Sequence, residues 1–406
     1  MVYLIGEHLR HSYSVPVHEA FHRYGYACRE LPPDEVEPFI RTGEYDGLNV
    51  TIPYKKVAYA TCDVLSERAR RIGSVNTVVR RAGQCFGYNT DYAGFAAAAA
   101  RAGIFFAGRR VLVLGSGGAS LTVCAVAADQ GAREVAVLSR ARGDYETVYE
   151  RHADAEIIVN TTPVGMFPNN GERLIDPARF PRLRGVMDLI YNPLETPLLA
   201  DARRLGVPTG NGLYMLVAQA AAACGIFCGD EPGEDEVSEV CDRLMKSKRN
   251  VVLVGMPGSG KSTVGRALAA RLGRPFFDSD AEIERRFGTD IPTIFACEGE
   301  AGFRRREREV IADLGRQSGA VIATGGGVAE DPRNDLPLRQ NGRVYFISRP
   351  IGSLARAGRP LSVGADLSEM YRRRAAGYRR ISDCTVENST GVEACADAIA
   401  ADFFGG

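Results

Sequence analysis

Short apolar runs alternate with helix-compatible stretches along both halves of the chain. Runs rich in Val, Ile and Leu follow one another at intervals that leave room for a helix between them. Because parallel strands need such crossover connections, the pattern predicts an α/β chain with largely parallel sheets. The predicted strands of the first half are 109–115, 134–139, 155–162 and 185–191. Those of the second half are the apolar run at the start of 250–263, then 320–327 and 342–348.

Length and composition are those of an ordinary globular chain. The 406 residues suggest two or three domains, and the formal net charge is zero, so nothing global indicates nucleic acid or a membrane surface as partner. The N-terminal residues lack the pattern of a signal peptide, and no apolar run approaches the roughly 20 residues that span a bilayer. The ten cysteines form no C-x-x-C pair, which favours reduced thiols in a cytoplasm. Small-molecule substrates are expected, and the oligomeric state stays open.

The cations of the chain are almost all arginine. Of the 50 Lys plus Arg residues, five are lysine: Lys55, Lys56, Lys246, Lys248 and Lys261. Arginine stays protonated at biological pH, whereas lysine can lose its proton when its surroundings lower its pKa. A retained lysine is therefore a candidate for proton transfer or for a compact point charge.

A glycine-rich turn follows the apolar run 109–115. Gly115, Gly117 and Gly118 lie between a predicted strand and a helix-compatible run. Glycines there let backbone N–H groups approach a pyrophosphate at the helix N-terminus. Ala119-Ser120 replaces the last glycine of the usual spacing, and an ordinary glycine turn stays the alternative. The turn, with Ala119, is a candidate dinucleotide-binding site.

The next apolar run ends in basic rather than acidic residues. An Asp or Glu there would accept bonds from a ribose 2′-OH, whereas Arg140 and Arg142 would meet a 2′-phosphate. With Ser139 before them, these arginines favour NADP over NAD. Two arginines on a solvated loop remain the alternative.

Four polar clusters precede this nucleotide motif. Each places hydroxyl, amide and ionisable groups beside a Gly or Pro turn, as expected where loops converge on a small polyhydroxylated ligand. Within them Lys55 and Asp91 are a plausible acid–base pair for a substrate hydroxyl. The clusters are 11–14, 47–55, 74–77 and 87–91.

One motif points to a metal instead. HEAFH (18–22) fits the H-E-x-x-H zinc pattern, with His18 and His22 one helical turn apart. A zinc hydrolase needs a third ligand, and the later His152 lies within the nucleotide-binding region. The surface or helix-start interpretation is therefore favoured over zinc.

Residues 1 to about 229 resemble shikimate dehydrogenase over their whole length. The resemblance rests on HSYS, NVTIPYK, IGSVNT, GYNTD, LGSGGAS, NTTPVGM, DLIYNPLETPLL and NGLYMLVAQAA, in the family's order. It implies that Ser12 and Ser14 bind the substrate carboxylate and that Lys55 with Asp91 handles the proton. It also implies a set of side chains around the substrate ring, namely Asn49, Thr51, Asn76, Asp91, Tyr191 and Gln219.

The same resemblance implies an architecture and shows two departures. It implies an α/β substrate domain over 1–100 with a return segment at about 212–228, and a Rossmann NADP-binding domain over 101–211. SVPVH (14–18) stands where the family has SPxxH, and Ser139-Arg140-Ala141 where its NADP-type members have Asn-Arg-Thr. The turn after the serines and the phosphate contacts beside Arg140 are therefore open.

The second half opens with a nucleotide motif of its own. GMPGSGKST (255–263) fits the P-loop spacing after an apolar strand and before a helix-compatible run. Loop N–H groups would cradle phosphates, Lys261 would reach the β and γ oxygens, and Ser262 would ligate Mg²⁺. The ATP-binding candidates are Gly258, Ser259, Gly260, Lys261, Ser262 and Thr263.

Downstream residues supply candidates for the phosphoryl acceptor site. Asp278 and Asp280 stand two apart, so that one can serve the metal environment and the other substrate hydroxyls. Arg304 and Arg379 are possible planar partners for a carboxylate, although each sits in an arginine-rich run that a solvated surface also explains. At Gly325, Gly326 and Gly327 only backbone could approach a ligand ring.

From about residue 249 to the C-terminus these motifs resemble shikimate kinase. The P-loop, DSD, GEAGFRRRE, GGG, RPL and YRR occur in the family's order. The resemblance implies Mg-ATP at the P-loop with Asp278 near Mg²⁺, and Arg359 as a lid arginine on the transferring phosphoryl group. Residues 356–361 look shorter than the usual lid. Shikimate would be held by Asp280, Arg304, Gly325, Gly326, Gly327 and Arg379.

The two resemblances predict a bifunctional enzyme. Its first half would reduce 3-dehydroshikimate with NADPH, and an adenylate-kinase-like P-loop domain over 249–406 would phosphorylate the resulting shikimate from ATP. The stretch 229–248, acidic and then basic, is predicted as a linker or a solvated amphipathic helix. Two alternatives stay open: one half is a regulatory pseudoenzyme, or the dehydrogenase acts on quinate or a related hydroxy acid.

Overall fold

The structure, a computed structural model, describes residues 1–9, 12–354 and 367–405. The chain divides into one unit of Met1–Tyr191 with Thr196–Leu244, and a second of Asn192–Glu195 with Met245–Gly406. The boundaries at 100, 211 and 248 that the sequence suggests stay predictions. None of the helices in the described ranges has both the length and the apolar composition that crossing a membrane requires.

The first sheet of unit 1 is mixed. Its strand order is β2-β1-β3-β5-β6-β4, and β5 runs antiparallel to both β3 and β6. The β5–β6 hairpin turns through Ala82 and Gly83, whose φ angles of 49° and 81° match a two-residue hairpin turn. The strands are β1 Val2–Gly6, β2 Tyr26–Glu30, β3 Gly47–Val50, β4 Val64–Leu65, β5 Thr77–Arg81 and β6 Gln84–Tyr88. The helices are α1 Ser14–Ala20, α2 Pro33–Thr42, α3 Lys55–Thr61, α4 Glu67–Ile72 and α5 Asp91–Arg101.

The second sheet of unit 1 is entirely parallel, in the order β11-β10-β9-β7-β8. Its strands are β7 Arg110–Leu114, β8 Glu134–Leu138, β9 Ile157–Asn160, β10 Gly185–Asp188 and β11 Thr209–Gly210. The helices of this region are α6 Gly118–Asp129, α7 Val148–Arg151 and α8 Pro197–Arg204.

Two helices follow the second sheet. The largely apolar α9 (Gly212–Cys228) packs along α5, which returns the chain to the first sheet. Helix α10 (Glu234–Lys248) occupies most of the predicted linker. Its buried residues repeat at helical spacing, which defines an amphipathic helix with one packed face. They are Val237, Val240, Cys241 and Leu244.

Unit 2 is built on a third sheet, also parallel, in the order β13-β14-β12-β15-β16. Its strands are β12 Asn250–Val254, β13 Phe276–Asp278, β14 Val321–Ala323, β15 Gly342–Ser348 and β16 Cys384–Glu387. The helices are α11 Lys261–Leu272, α12 Ser279–Phe287, α13 Ile291–Gly315, α14 Asp335–Arg339, α15 Leu367–Ile381 and α16 Val392–Gly405.

The central strand β12 shows how this sheet is covered on both faces. Val252 and Val254 pack into one buried cluster, while Val251 and Leu253 pack into another. Because successive side chains of a strand point to opposite faces, a continuous apolar run is what a doubly covered strand requires. The α/β prediction with parallel sheets is confirmed.

Candidate active sites

A hydrogen-bonded network of amide and hydroxyl side chains joins the first sheet to α9. Asn49 on β3 donates to Thr77 Oγ1 over 3.2 Å, and Asn76 Nδ2 donates to Thr90 Oγ1 over 3.0 Å. Gln219 on α9 accepts from Asn76 over 3.4 Å. These side chains are buried, so their remaining hydrogen-bonding capacity is held in place by packing. The structure thus brings Asn49, Asn76 and Gln219 together.

The Lys55–Asp91 pair lies beside this network. Lys55 opens α3 and Asp91 opens α5 directly after Thr90, and Lys55 Nζ lies 2.5 Å from Asp91 Oδ2. The side chains are 18% and 10% exposed, so the ion pair is largely shielded from water. Thr51, partly buried, is the first residue after β3. Two residues 36 positions apart therefore form an ion pair where the polar clusters predict an acid–base pair.

The paired serines lie at the start of α1. Ser12 Oγ donates to Ser14 Oγ over 3.1 Å and accepts from the Ser14 backbone N–H over 3.2 Å. Between them, the ring of Tyr13 packs against Tyr191, with centroids 5.1 Å apart. This contact places the segment after β10 next to the serines, so Tyr191 belongs to the same region as the predicted carboxylate site.

The two HEAFH histidines lie in different environments: His22 is exposed, whereas His18 lies in the interior, so the surface interpretation is wrong for His18. His18 is fully buried, bonds through Nδ1 to the Tyr24 hydroxyl over 2.7 Å, and stacks on Tyr26 with ring centroids 3.9 Å apart. Burial lowers the pKa of His18 to about 3, so the ring is neutral. The Tyr26 hydroxyl in turn donates to Asn49 Oδ1 over 2.9 Å. His18 thus supports the amide network through Tyr26.

The glycine turn after β7 leaves open space where a cofactor phosphate would lie. A Cβ added at Gly117 would have no neighbour within 4 Å, and one at Gly118 would meet only Ser74 Oγ at 3.9 Å. Helix α6 starts at Gly118, with Ala119 half-buried in its first turn. Gly115 instead packs closely against the segment that follows β9, since a Cβ there would lie 2.8 Å from Thr161 Oγ1. The cradle suits a pyrophosphate at a helix N-terminus.

The two arginines after β8 differ in their surroundings. Arg142 Nε donates to Asp144 Oδ2 over 2.9 Å, and its guanidinium also donates to the Val137 carbonyl. Arg140 is exposed and has no ion-pair partner among the residues that the structure describes. The backbone N–H of the buried Ser139 donates to the same Asp144 carboxylate. The structure therefore leaves Arg140 accessible and engages Arg142, because a carboxylate lies two residues after it.

The P-loop adopts a conformation that glycine permits. Gly258 and Gly260 have φ angles of 84° and 96°, in the left-handed region that side chains disfavour. Lys261, the first residue of α11, is 7% exposed, and its Nζ donates to the carbonyls of Gly255 and Met256 over 2.8 and 2.9 Å. The ammonium group of Lys261 therefore lies against the backbone of the loop, at the position that the motif predicts.

A residue outside the motif also holds the P-loop. Asn388, just after β16, donates from Nδ2 to the Ser259 carbonyl over 2.8 Å. A Cβ at Gly260 would lie 2.5 Å from the same Nδ2, so Asn388 fills the space beside the glycine. Ser259 Oγ is buried, and no hydrogen-bond partner for it occurs in the described ranges. The motif does not reveal Asn388, which is far away in sequence.

Three oxygen-bearing side chains lie at the mouth of the P-loop. Ser262 Oγ donates to Asp278 Oδ2 over 2.5 Å, which brings the two predicted metal ligands together. Asp278 also caps α12 by accepting from the backbone N–H of Asp280 over 3.1 Å. Thr263 is exposed on the first turn of α11. Hydroxyl and carboxylate oxygens are the ligands that Mg²⁺ prefers, so the donor set fits this ion.

The environment of Asp280 alters its acidity. Its Oδ1 atom is buried, and among the described residues none donates a hydrogen bond to it. Burial, then the negative charges of Asp278 and Glu307, raise the pKa of Asp280 to about 6, although Lys261 opposes them. A carboxylate with a raised pKa is a better proton acceptor near neutral pH than an ordinary aspartate.

Two arginines and two glutamates form a charged cluster behind the glycine triplet. Arg304 pairs with the buried Glu307 over 2.8 Å and with Glu330 over 3.2 Å. Arg374, only 4% exposed, pairs with Glu330 over 2.8 Å. Burial raises the pKa of Glu307 despite the Arg304 charge. Arg374 is thus a candidate partner for a ligand carboxylate beside Arg304.

The glycine triplet lies in contact with this cluster. The Gly325 backbone N–H donates to Ser279 Oγ over 2.9 Å, and the Tyr378 hydroxyl donates to the Gly326 carbonyl. A Cβ at Gly327 would lie 2.3 Å from Arg304 Nη2. Arg304, Asp280 and the triplet therefore converge, as the sequence predicts.

Two predicted residues are not part of this convergence. Arg379 is exposed on α15, so the predicted contact with a substrate carboxylate is not supported by its position. The reason is helical phase: the buried Tyr378 faces the triplet, and the residue one turn before it on the same face is Arg374. Spacing from Tyr378 could have identified Arg374. Arg359 lies outside the described residues.

The geometry defines a protein with two nucleotide-binding sites. Unit 1 has an acid–base pair and an amide network beside a dinucleotide cradle, and unit 2 has a P-loop with an acidic and an arginine-rich acceptor region. Two family models match the chain: the shikimate dehydrogenase substrate binding domain over residues 4–78, and shikimate kinase over residues 257–403.

Curated relatives match each part separately. A shikimate dehydrogenase (NADP(+)) of Clostridium perfringens (strain SM101 / Type A) is 32% identical over 263 residues, which cover 58% of this chain and 96% of that protein. A shikimate kinase of Thiobacillus denitrificans is 46% identical over 160 residues, which cover 36% of this chain and 84% of that protein. The chain belongs to the shikimate dehydrogenase family in its N-terminal part and to the shikimate kinase family in its C-terminal part.

Solved structures agree for the N-terminal part. A chorismate mutase/shikimate 5-dehydrogenase fusion protein from Clostridium acetobutylicum is 34% identical with a TM-score of 0.56, covering 60% of this chain and 96% of that one. A shikimate 5-dehydrogenase from Thermus thermophilus, in complex with NADP(H) and shikimate, is 30% identical with a TM-score of 0.54, covering 60% and 98%. One chain therefore joins a shikimate dehydrogenase domain and a shikimate kinase domain.

Proposed function

We propose that the protein catalyses two consecutive steps: reduction of 3-dehydroshikimate to shikimate with NADPH, and phosphorylation of shikimate to shikimate 3-phosphate with Mg-ATP. The observation that carries the proposal is the placement of two of the five lysines. Lys55 is paired with Asp91 in a site lined by amides and hydroxyls, and Lys261 lies within a P-loop. Lys55 is thus placed for proton transfer in a dehydrogenase, and Lys261 is placed for phosphate binding in a kinase.

In the dehydrogenase site, the chain's own groups bind the substrate and move a proton. Asn49, Asn76 and Gln219 offer amide groups to ring hydroxyls, and Ser12 with Ser14 offers hydroxyls to a carboxylate. Lys55 Nζ carries protons and lies 2.5 Å from Asp91, so the pair can deliver a proton to a developing alkoxide and be reloaded. Burial of these groups keeps bulk water from competing.

NADPH, when bound, supplies the hydride for this reduction. The open space over Gly117 and Gly118 suits its pyrophosphate, and the accessible guanidinium of Arg140 suits its 2′-phosphate. Arg142 contributes positive charge nearby but is already paired with Asp144. We therefore assign Arg140 the main role in preferring NADPH over NADH.

In the kinase site, Asp280 is the residue suited to accept the proton of the substrate hydroxyl. Its Oδ1 atom, to which no described residue donates a hydrogen bond, and its raised pKa of about 6 fit a general base. The ammonium group of Lys261 is a compact charge for phosphate oxygens, and the loop amides from Gly258 to Gly260 cradle them. The reaction is then an in-line transfer that depends on positioning and charge.

Two arginines are suited to the carboxylate of shikimate in the kinase site. Arg304 and Arg374 are both largely buried and share Glu330, so their guanidinium groups lie close together. A planar carboxylate is a natural partner for such groups. Arg374 takes the role that the sequence suggests for Arg379.

Mg²⁺, when bound, would neutralise charge on the phosphate oxygens. Ser262 and Asp278 would hold it, because they are hydrogen bonded to each other beside the P-loop and offer the oxygen ligands that it prefers.

We also propose a cytoplasmic location, since all ten cysteines are free thiols.

The experiment is a one-pot conversion. Purified protein is supplied with 3-dehydroshikimate, NADPH and Mg-ATP, and the products are identified by mass. We expect shikimate 3-phosphate, with shikimate accumulating when ATP is left out. Absence of a phosphorylated product contradicts the kinase assignment, and faster turnover of quinate with NAD contradicts the dehydrogenase assignment.

A further inference from the structure

One carboxylate in the kinase domain holds three arginines. Glu330 Oε2 accepts from Arg374 Nε over 2.9 Å and from Arg304 Nη2 over 3.2 Å. Its other oxygen, Oε1, lies 2.7 Å from Arg373 Nε. Glu330 follows the glycine triplet and is 20% exposed, whereas Arg304 and Arg374 are 13% and 4% exposed. The two arginines proposed for the substrate carboxylate are therefore already paired with a carboxylate of the protein.

A ligand carboxylate at this place would compete with Glu330. Two carboxylates on the same pair of guanidinium groups repel each other, and a like charge that is only partly screened weakens binding. Glu307 cannot step aside, because it is 1% exposed and fixed against Arg304. Glu330 has an alternative partner, since Arg373 is 64% exposed and has room to move.

We propose that Glu330 is an internal competitor that sets the affinity of the kinase for its substrate. An incoming substrate carboxylate takes over the contacts of Glu330 Oε2 with Arg304 and Arg374, and Glu330 moves outward while still paired with Arg373. The inference rests on the proposed function, because it takes a carboxylate-bearing substrate for granted. Exchange of one carboxylate for another makes binding selective for acids, since a neutral polyol cannot replace Glu330.

The test compares two variants that the exchange affects in opposite directions. Glu330→Gln keeps the size of the side chain but removes its charge, so the KM for shikimate should fall by about three- to tenfold, the range that a part-buried ion pair supports. Arg373→Gln removes the outer partner, so Glu330 should stay on Arg304 and Arg374, and the KM for shikimate should rise by about two- to threefold. Neither change should alter the KM for ATP.

The matched control is Arg333→Gln. Arg333 is also exposed and pairs with a carboxylate of the same segment, Asp331, over 2.8 Å. It has no contact with Arg304 or Arg374 among the residues that the structure describes, so the KM for shikimate should not change. The KM for ATP reports whether the kinase domain of each variant is folded. If Glu330→Gln fails to fold, the exposed Arg373→Gln variant decides the question by itself.

The outcomes separate this inference from the function on which it rests. A higher KM or a lower kcat in Glu330→Gln shows that Glu330 is a fixed support for the arginines and overturns the exchange, and so does an unchanged KM. Arg373→Gln must raise the KM for shikimate, and a fall or no change in this KM likewise overturns the proposed exchange. If the wild-type protein releases no ADP in response to shikimate, the proposed function fails first, and the exchange falls with it.

Discussion

At the scale of single residues, Asp280 shows how surroundings create chemistry that residue type does not. Its side chain is partly withdrawn from water and lies near Asp278 and Glu307, all of which favours the protonated form. Lys261 works in the other direction but does not outweigh them. The sequence identifies an aspartate two residues after another, whereas the shift in pKa comes from the fold.

This shift predicts the pH dependence of the kinase. The folded-state pKa of Asp280 is raised from 3.8 to about 6, so below pH 6 the carboxyl is increasingly protonated and cannot accept the substrate proton. We expect kcat/KM for shikimate to fall about tenfold for each pH unit below 6. The measurement is a pH–rate profile of ADP release with saturating Mg-ATP.

The control for this profile is Asp280→Asn, which should be slow and should lack the acid limb. An acid limb near pH 4 in the wild-type protein, the ordinary range of an aspartate, would exclude Asp280 as the titrating base.

At the scale of elements, strand β16 contributes to a loop that lies more than a hundred residues earlier. Asn388 follows the strand and donates to the Ser259 carbonyl, separated by 129 positions in sequence. The P-loop is therefore held both by its own glycines and by the end of a neighbouring element. A carbonyl satisfied from outside the motif limits the conformations of the loop.

Removing this contact should weaken ATP binding. In Asn388→Ala the Ser259 carbonyl loses a hydrogen bond worth about 1 kcal/mol, so we expect the KM for ATP to rise by roughly fivefold. The KM for shikimate should change little. Steady-state kinetics with each substrate varied in turn make the distinction.

The exposed Thr385→Ala on the same strand is the matched control and should behave as the wild type. Equal increases in both KM values for Asn388→Ala would indicate a general disturbance of the domain and would refute a specific role in the loop.

At the scale of the whole molecule, the chain carries two chemistries on two units. Lys55 belongs to unit 1 and Lys261 to unit 2. Shikimate is the product of the first proposed reaction and the substrate of the second. Two of the five lysines in this arginine-rich chain therefore lie in two distinct sites.

The two activities should be separable by single substitutions. Lys55→Met removes the proton carrier and should lower the dehydrogenase kcat by at least about a hundredfold, while Lys261→Met should do the same to the kinase. Mixing the two variants should restore conversion of 3-dehydroshikimate to shikimate 3-phosphate, because shikimate can diffuse from one protein to the other. The readout is the product mass over time.

Lys56→Met is the control, since Lys56 is the exposed neighbour of Lys55. If Lys55→Met lowered both activities by the same factor, the two sites would not be independent. A longer lag in the mixture than in the wild-type protein would favour transfer of shikimate within one chain, and equal lags would oppose it.

The families, the parallel sheets and the candidate residues for most of the site can be predicted from the order of residues. Its motifs are local, and glycine turns, a P-loop and alternating apolar runs are properties of neighbouring residues that need no knowledge of the fold. The proximity of Lys55 and Asp91 could be anticipated because the family's motifs already pair them. The amphipathic helix α10 could be anticipated as one of two alternatives from its charge pattern.

The contacts that complete the candidate sites depend on the fold. It buries Arg374 and leaves Arg379 exposed, because the face of a helix that turns inward depends on what packs against it. It joined Glu330 to three arginines and Asn388 to the P-loop, contacts between positions far apart in sequence. Such contacts, like the raised pKa of Asp280, depend on burial and on distances through space, which the order of residues does not state.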